Sequence, residues 1–224
     1  MTVSPATRYS CILFDLDGTV TDSAPGIVEK IGEALVAAGH PSPDPDELRR
    51  HFVGPPLSES LRDYAGIEGR EADRIVAYYR QAYTSRGVVG NSVYAGVREL
   101  LGRIRDAGVP MAIATSKPEM QANAVLSEFE LAEFFTVVTG STLDESRSTK
   151  ADVVAEALRR LRVAGVDVSR PIMVGDRRHD IDGAGAHGIE CVTVGWGYGA
   201  AEEIAHAAHH APRPDDLAEL LLVS

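Results

Sequence analysis

The chain lacks the features that mark several classes of protein. It has only two cysteines, Cys11 and Cys191, and both lie in apolar runs, so we expect free thiols in a reducing compartment instead of a disulfide framework. No apolar run reaches the roughly 18 residues of a membrane-spanning helix. The first eight residues lack the apolar stretch and cleavage site of a secretory signal. These absences predict a cytoplasmic protein with no membrane partner.

Positive charge is also scarce. Lysine and arginine total 22 against 33 acidic residues, which gives a formal net charge of −11. Nucleic-acid affinity depends on basic residues that meet phosphates, so the charge balance predicts no nucleic-acid partner. A small anion is still compatible with the sequence, because a few local cations can override the average field.

Five short apolar runs predict strands of one sheet. Helical segments separate the last four, and the runs are apolar throughout instead of alternating, which is typical of a parallel sheet covered on both faces. The sequence therefore predicts an α/β fold with a Rossmann-like core. The runs are residues 9–14, 109–114, 135–138, 171–174 and 189–194.

The segment between Thr21 and Tyr94 has no strand-like run. Helical patterns follow one another there, broken by proline-rich stretches at 41–45 and 54–56. We expect a small helical domain inserted behind the first strand. The predicted division is an α/β core from 1–21 and 94–224 with a helical insert from 22–93.

Acids, hydroxyls and lysines follow the predicted strands, at the edge where parallel α/β sheets bind ligands. Carboxylates gathered there repel one another, and a divalent ion with oxygen ligands, Mg²⁺ above all, would balance them. No cysteine or histidine cluster accompanies the acids, and a zinc site is therefore not expected. We expect His206, His209 and His210 to lie at an exposed helix end. The candidate site residues are Asp15, Asp17, Thr115, Ser116, Lys117, Lys150, Asp176 and Asp180.

The lysines give an independent indication of an anion. Ser116 with Glu119, and more weakly Thr149 with Asp152, fit helix starts that would place Lys117 and Lys150 in the first helical turn. The positive end of a helix disfavours a cation there unless an anion binds. Lys117 is equally compatible with a solvated surface lysine.

Four motifs together resemble the haloacid dehalogenase superfamily of phosphatases. They are residues 15–19, residues 115–118, Lys150 and residues 175–180. The insert after the first motif is similar to the cap of the phosphoglycolate phosphatase and β-phosphoglucomutase branch. The resemblance spans nearly the whole chain.

The resemblance implies a covalent mechanism for transfer of phosphate from a small phosphorylated metabolite. Asp15 would be the nucleophile, and Asp17 would act as general acid and base. Thr115 and Ser116 would hold phosphate oxygens, with Lys117 as a further phosphate contact. Lys150 would neutralise charge. Mg²⁺ would be bound by Asp15, the Asp17 carbonyl and Asp176, with Asp180 behind them as an orienting group.

The resemblance leaves two alternatives to a phosphatase acting on phosphoglycolate-like compounds or sugar phosphates. A phosphomutase would use the same core and differ in how the cap retains the intermediate. A non-catalytic regulatory protein would retain only the fold, although such a protein need not preserve all of the site acids. The sequence gives no indication of the oligomeric state.

Overall fold

The computed structural model describes residues 8–86, 90–144 and 146–222, with only the backbone described at 83–86. The outer ends of the predicted core, at residues 1 and 224, lie outside the described residues, as do residues 87–89 of the predicted insert. The strands are β1 (Cys11–Phe14), β2 (Thr21–Asp22), β3 (Ser92–Val93), β4 (Met111–Pro118), β5 (Val137–Ser141), β6 (Pro171–Gly175), β7 (Cys191–Val194) and β8 (His209–Ala211).

Helices fill most of the intervals between these strands. They are α1 (Ala24–Ala37), α2 (Pro45–Phe52), α3 (Leu57–Asp63), α4 (Gly69–Arg86), α5 (Val97–Asp106), α6 (Glu119–Glu128), α7 (Lys150–Val163), α8 (Arg178–Gly185), α9 (Ala201–Ile204) and α10 (Pro214–Leu222), with a short 3₁₀ turn at Ala132–Phe134.

Six strands form one sheet in the order β5-β4-β1-β6-β7-β8, and every neighbouring pair is parallel. The side chains of β1 alternate between its faces. Ile12 and Phe14 pack with α5, α6 and α10, whereas Leu13 packs with α7 and α8 on the other face. Burial on both faces explains why the strand is apolar throughout, and the predicted α/β fold is confirmed.

Helices α1 to α4 form the helical insert, the name used below for residues 24–86. Short antiparallel strands β2 and β3 stand where the chain enters and leaves this region. The insert has a hydrophobic cluster of its own, built from side chains such as Ile31, Leu35, Leu48, Leu61 and Ile75. The division into a core of 1–21 and 94–224 and a cap of 22–93 stays a prediction.

The prediction for the C-terminal histidines was wrong. His209 and His210 lie in β8, the edge strand beside β7, and not at a helix end. The hydroxyl of Thr193 on β7 contacts Nδ1 of His210 at 3.1 Å. The strand has no apolar run because its outer side stays open to solvent, so the sequence gives no strand signal there.

Cys11 and Cys191 are buried and unpaired with each other, which confirms the prediction of free thiols. Burial raises the pKa of the Cys11 thiol to about 11. Among the helices that the structure describes, none has the length and apolar character needed to cross a lipid bilayer.

Candidate active site

Three buried carboxylates meet where the carboxyl ends of β1 and β6 lie side by side. The chain crosses from β5 at one edge of the sheet to β6 beside β1, and parallel α/β sheets bind ligands at such a switch point. Asp15 follows β1 directly, Asp176 follows β6, and Asp180 lies in the first turn of α8. One oxygen from each carboxylate lies within 4.8 Å of the other two. We call these three residues the acid trio.

Lys150 reaches the acid trio from the first turn of α7. The hydroxyl of Thr149 accepts a hydrogen bond from the backbone N–H of Asp152, so the predicted helix start is confirmed. The Nζ atom of Lys150 lies 2.9 Å from Oδ1 of Asp15 and 2.7 Å from Oδ1 of Asp180. One ammonium group therefore bridges two members of the trio.

Burial and mutual repulsion set the electrostatics of the acid trio. Burial, with smaller repulsion from Asp180, raises the pKa of Asp15 although Lys150 opposes the rise. Burial, Asp180 and Asp15 raise the pKa of Asp176 well above its usual range. Burial disfavours the charged form of Lys150, but the carboxylates outweigh it and raise its pKa. Three carboxylates beside one ammonium leave an excess of negative charge, which a bound cation would balance.

The donor set of the acid trio fits Mg²⁺. Oδ2 of Asp180 accepts the backbone N–H groups of Asp176 and Arg177, at 3.1 and 3.0 Å, and its other oxygen faces Lys150. Asp176 forms no ion pair with any side chain in the described part of the chain, so its charge is left for a cation. Oxygen ligands of this kind suit Mg²⁺, and no histidine or cysteine belongs to the cluster found among the described residues.

Asp17 stands apart from the acid trio. Its two carboxylate oxygens lie 3.0 and 2.9 Å from Nζ of Lys117, and both side chains are largely buried. The site therefore holds two separate acid and lysine pairs, Asp15 with Lys150 and Asp17 with Lys117. The predicted role of the Asp17 carbonyl as a metal ligand stays a prediction.

The prediction that Ser116 begins a helix was wrong. Ser116 and Lys117 lie in β4, which continues to Pro118, and α6 begins at Glu119. Proline disfavours helical backbone in the residue before it, so Lys117 stays extended. Strand pairing between Pro118 and Ser141 holds this end of β4 to β5. Lys117 thus reaches the site from a strand end, and it is neither helical nor a solvated surface lysine.

Thr115 lies in β4, the strand that pairs with β1 next to Asp15. Its side chain is buried, and its hydroxyl accepts the backbone N–H of Lys117 at 3.3 Å. Ser116 is half-buried and faces the cleft described next. The predicted phosphate-binding residues are therefore gathered beside the acids.

A cleft of about 110 Å³ separates this end of the sheet from the helical insert. The turn at 54–56 lines one side. The core side of the cleft is polar, and the insert side is largely apolar, with Ser58, Tyr79 and Arg80 as its polar members. The core contributes Asp17, Ser116, Lys117 and Gln121, and the insert contributes Ile27, Ile31, Phe52, Val76, Tyr79 and Arg80.

Sequence reasoning missed Arg177, which joins the site to the insert. Arg177 follows Asp176 and is buried, and its guanidinium donates hydrogen bonds to the carbonyl oxygens of Val53 and Arg50. Glu203 pairs with the same guanidinium at 2.8 Å. Its position directly after a predicted metal ligand was the available signal, but nothing in the sequence placed the insert beside it.

Tyr198 is a second residue that links the site to the insert. Its hydroxyl accepts the backbone N–H groups of Ser23 and Ala24, at 2.8 and 3.0 Å, and donates to Asp22 at 2.7 Å. Its own backbone N–H donates to Oδ2 of Asp176 at 2.7 Å. One residue thus connects the acid trio to the first turn of the insert.

Comparison with protein families gives a match over most of the chain. The family model described as haloacid dehalogenase-like hydrolase matches residues 12–194. A crystal structure of a predicted phosphatase from Clostridium acetobutylicum superposes with a TM-score of 0.89 at 35% identity, covering 96% of this chain and 98% of that chain.

Curated relatives carry three different names. The chain is 45% identical to tyrosine-protein kinase PtkA of Mycobacterium tuberculosis, across 97% of this chain and 74% of the relative. It is 36% identical to a 5'-nucleotidase of Pseudomonas aeruginosa, across 92% of this chain and 91% of the relative. It is 32% identical to a phosphoglycolate phosphatase of Pseudomonas putida, across 87% and 72%.

Proposed function

Since the chain belongs to the haloacid dehalogenase-like hydrolase family, we propose that it is a Mg²⁺-dependent phosphatase that hydrolyses a small phosphomonoester through an acyl phosphate on Asp15. The family prediction is confirmed, and hydrolysis of phosphoric monoesters agrees with its phosphatase-named relatives. Phosphoglycolate-like compounds and sugar phosphates are the first substrates to test. The buried, unpaired thiols support a reducing compartment such as the cytoplasm.

The observation that carries the proposal is the bridging of Asp15 and Asp180 by Lys150, with Asp176 beside them. A carboxylate is a weak nucleophile toward an anionic phosphate unless the charge of both is neutralised. The ammonium group at 2.9 Å from Asp15 supplies part of that neutralisation. Asp15 attacks phosphorus, and the bond from phosphorus to the leaving oxygen breaks.

Asp17 is placed to handle the protons. It protonates the leaving oxygen in the first step and accepts a proton from the attacking water in the second, which restores Asp15 and releases inorganic phosphate. Lys117 holds both oxygens of its carboxylate on the cleft side, away from the acid trio. The two acids therefore have separate surroundings that suit separate roles.

Asp15, Asp176 and the carbonyl of Asp17 would hold the metal. Bound Mg²⁺ would supply charge neutralisation for the transferring phosphate and help to orient it against Asp15. Asp180 would act through its contacts with Lys150 and with the 176–177 backbone. Thr115 and Ser116 would bind phosphate oxygens.

The helical insert would act as a cap over this end of the sheet. Its 54–56 turn and helices α1, α2 and α4 line the cleft opposite the acids. A closed cap excludes bulk water from the acyl phosphate on Asp15 and strengthens the electrostatic contacts within the site. Arg177 would tie cap position to the loop that carries Asp176.

Turnover of para-nitrophenyl phosphate tests the proposal. We expect phosphate release that requires Mg²⁺ and stops with chelator, and a loss of about 10³-fold or more in Asp15→Asn. Asp182→Asn is the matched control, because Asp182 is an exposed acid on α8 outside the trio. Full activity of Asp15→Asn would contradict the proposed nucleophile, and no release with Mg²⁺ would favour a non-catalytic regulatory protein.

The 45% identity to a protein named tyrosine-protein kinase supports transfer to an acceptor hydroxyl as a second candidate function. The same core chemistry serves a phosphatase, a phosphomutase or a phosphotransferase, because only the acceptor of the phosphate differs. Product analysis separates them. A hexose 1-phosphate would give an isomer with a mutase and free phosphate with a phosphatase, and labelled ATP would give phosphotyrosine only with a kinase.

A further inference from the structure

Gln121 is a buried polar side chain for which the proposed chemistry has no use. It lies in the first turn of α6, is 7% exposed and lines the cleft next to Lys117. Its amide forms no hydrogen bond within the described ranges of the chain. Its buried neighbours on the same helix, Ala122, Val125 and Leu126, are apolar and pack in the core. Because Gln121 lines the cleft, the donor and the acceptor of its amide are available to a group bound there.

Much of the cleft wall opposite the acids is apolar, although Ser58, Tyr79 and Arg80 also line it. Ile27 and Ile31 come from α1, Phe52 from the end of α2 and Val76 from α4, and all four are buried in the hydrophobic cluster of the insert. Hydroxyl groups placed against such a wall would lose their hydrogen bonds to water without replacement. The wall therefore favours a substrate that presents apolar surface to the insert.

The core side and the insert side of the cleft both restrict which substrates fit. The phosphate end is fixed by Asp17, Ser116 and Lys117, and the amide of Gln121 lies on the same core side. An amide can donate and accept at once, so it suits a group with a hydrogen-bonding edge. A leaving group with an apolar ring face and one polar edge meets both conditions.

We propose that Gln121 is a specificity-determining residue and that the substrate is a phosphomonoester with a ring-bearing, largely apolar leaving group whose polar edge bonds to its amide. The inference rests on the proposed function and narrows its substrate class to aryl or nucleoside monophosphates. Arg80 also lines the cleft, and its guanidinium donates to the carbonyl of Leu143 at 3.4 Å. Recognition of a substrate carboxylate by Arg80 is the competing reading.

Specificity constants with four substrates test this inference. Uridine 5'-monophosphate and phenyl phosphate carry an unsaturated ring with apolar faces, whereas phosphoglycolate has no ring and the pyranose ring of glucose 6-phosphate bears hydroxyl groups. We expect kcat/KM for the two substrates with an unsaturated ring to exceed that for the other two. In Gln121→Leu, kcat/KM for the uridine compound falls by about tenfold or more, while phenyl phosphate, which lacks a polar ring edge, is nearly unaffected.

Asn123→Ala is the matched control, because Asn123 lies on the same helix and is exposed; it should leave all four values unchanged. If Gln121→Leu does not fold, Gln121→Glu keeps the size of the side chain and tests the same difference between the uridine compound and phenyl phosphate. Better turnover of phosphoglycolate, or an equal effect of Gln121→Leu on all substrates, overturns the inference. Failure of the proposed function is distinct, since no substrate would then release phosphate with Mg²⁺.

Discussion

Nζ of Lys117 lies 2.9 Å from Oδ2 of Asp17 and 3.0 Å from Oδ1, with 3% of the lysine side chain and 12% of the aspartate side chain exposed. The ammonium group thus holds both oxygens of the proposed general acid and base. The same group lines the cleft, where we propose that it also contacts the substrate phosphate. The pair fixes the orientation of Asp17 before any substrate binds.

Removal of the lysine should therefore cost stability as well as activity. We expect Lys117→Met to lower the free energy of unfolding by about 3 kcal/mol, because it leaves a largely buried carboxylate without its charge partner. Adding Asp17→Asn to this variant should restore more than half of the loss. Urea unfolding of the two single variants and the double variant measures the coupling, and a loss that the second substitution does not relieve would contradict it.

The pairing of Lys150 with α8 depends on a glycine. A Cβ at Gly183 would lie 2.5 Å from Cγ of Lys150, whereas a Cβ at Gly185 on the same helix meets nothing within 4 Å. Gly183→Ala should move the Lys150 ammonium group and lower kcat by about 10²-fold. Gly185→Ala is the matched control and should leave kcat unchanged. Equal kcat values for the two alanine variants would show that the contact does not position Lys150.

Tyr198 offers a test of the link between the acid trio and the insert. Tyr198→Phe removes the acceptor for the N–H groups of Ser23 and Ala24 and the donor to Asp22. We expect a loss of about 1–3 kcal/mol in unfolding free energy and a lower kcat. Tyr78→Phe, on an exposed part of α4, should change neither quantity. A Tyr198→Phe enzyme with wild-type kcat would mean that the linkage is only structural.

The raised pKa values predict how pH and metal act together. Burial and neighbouring acids raise the pKa of Asp15 and Asp176, so between the ordinary aspartate pKa of about 4 and the raised values the folded, metal-free chain binds more protons than the unfolded chain. Its stability therefore falls as pH rises through this range. Mg²⁺ competes with those protons, and we expect it to raise Tm more at about pH 8 than at about pH 5.5.

Thermal unfolding with and without Mg²⁺ at the two pH values measures this effect. Asp176→Asn should abolish most of the stabilisation by Mg²⁺, because it removes a proposed ligand. A gain in Tm that is equal at both pH values, or that persists in Asp176→Asn, would place the metal elsewhere.

Much of the site could be predicted because it depends on local sequence and on one topological rule. Asp15 and Asp176 follow apolar strands, and parallel strands bring their carboxyl ends to one edge. Lys150 was predictable as the first residue of a helix capped by Thr149. The chain has only three lysines, and two of them are in the site. The residues that end a strand or begin a helix can be recognised from the local sequence alone.

The features of the site that the sequence did not predict depend on contacts between distant segments. Gln121 resembles an ordinary surface residue of a helix, and no local pattern shows that it lines the cleft. The helical placement of Lys117 failed because a capping pattern competed with Pro118, which extends the residue before it. Tyr198 lies 175 residues from its partner Ser23, and no local pattern encodes such a contact.

The central claim is that an acyl phosphate forms on Asp15, and chemical trapping tests it most directly. Acyl phosphates are reduced by borohydride, whereas free carboxylates are not, so a phosphorylated Asp15 would be converted to homoserine. Wild-type enzyme quenched during turnover of para-nitrophenyl phosphate, reduced and analysed by peptide mass spectrometry should contain homoserine at position 15, and the sample quenched without substrate should not. Phosphate release with Asp15 unmodified, or with homoserine at another position, would contradict the mechanism.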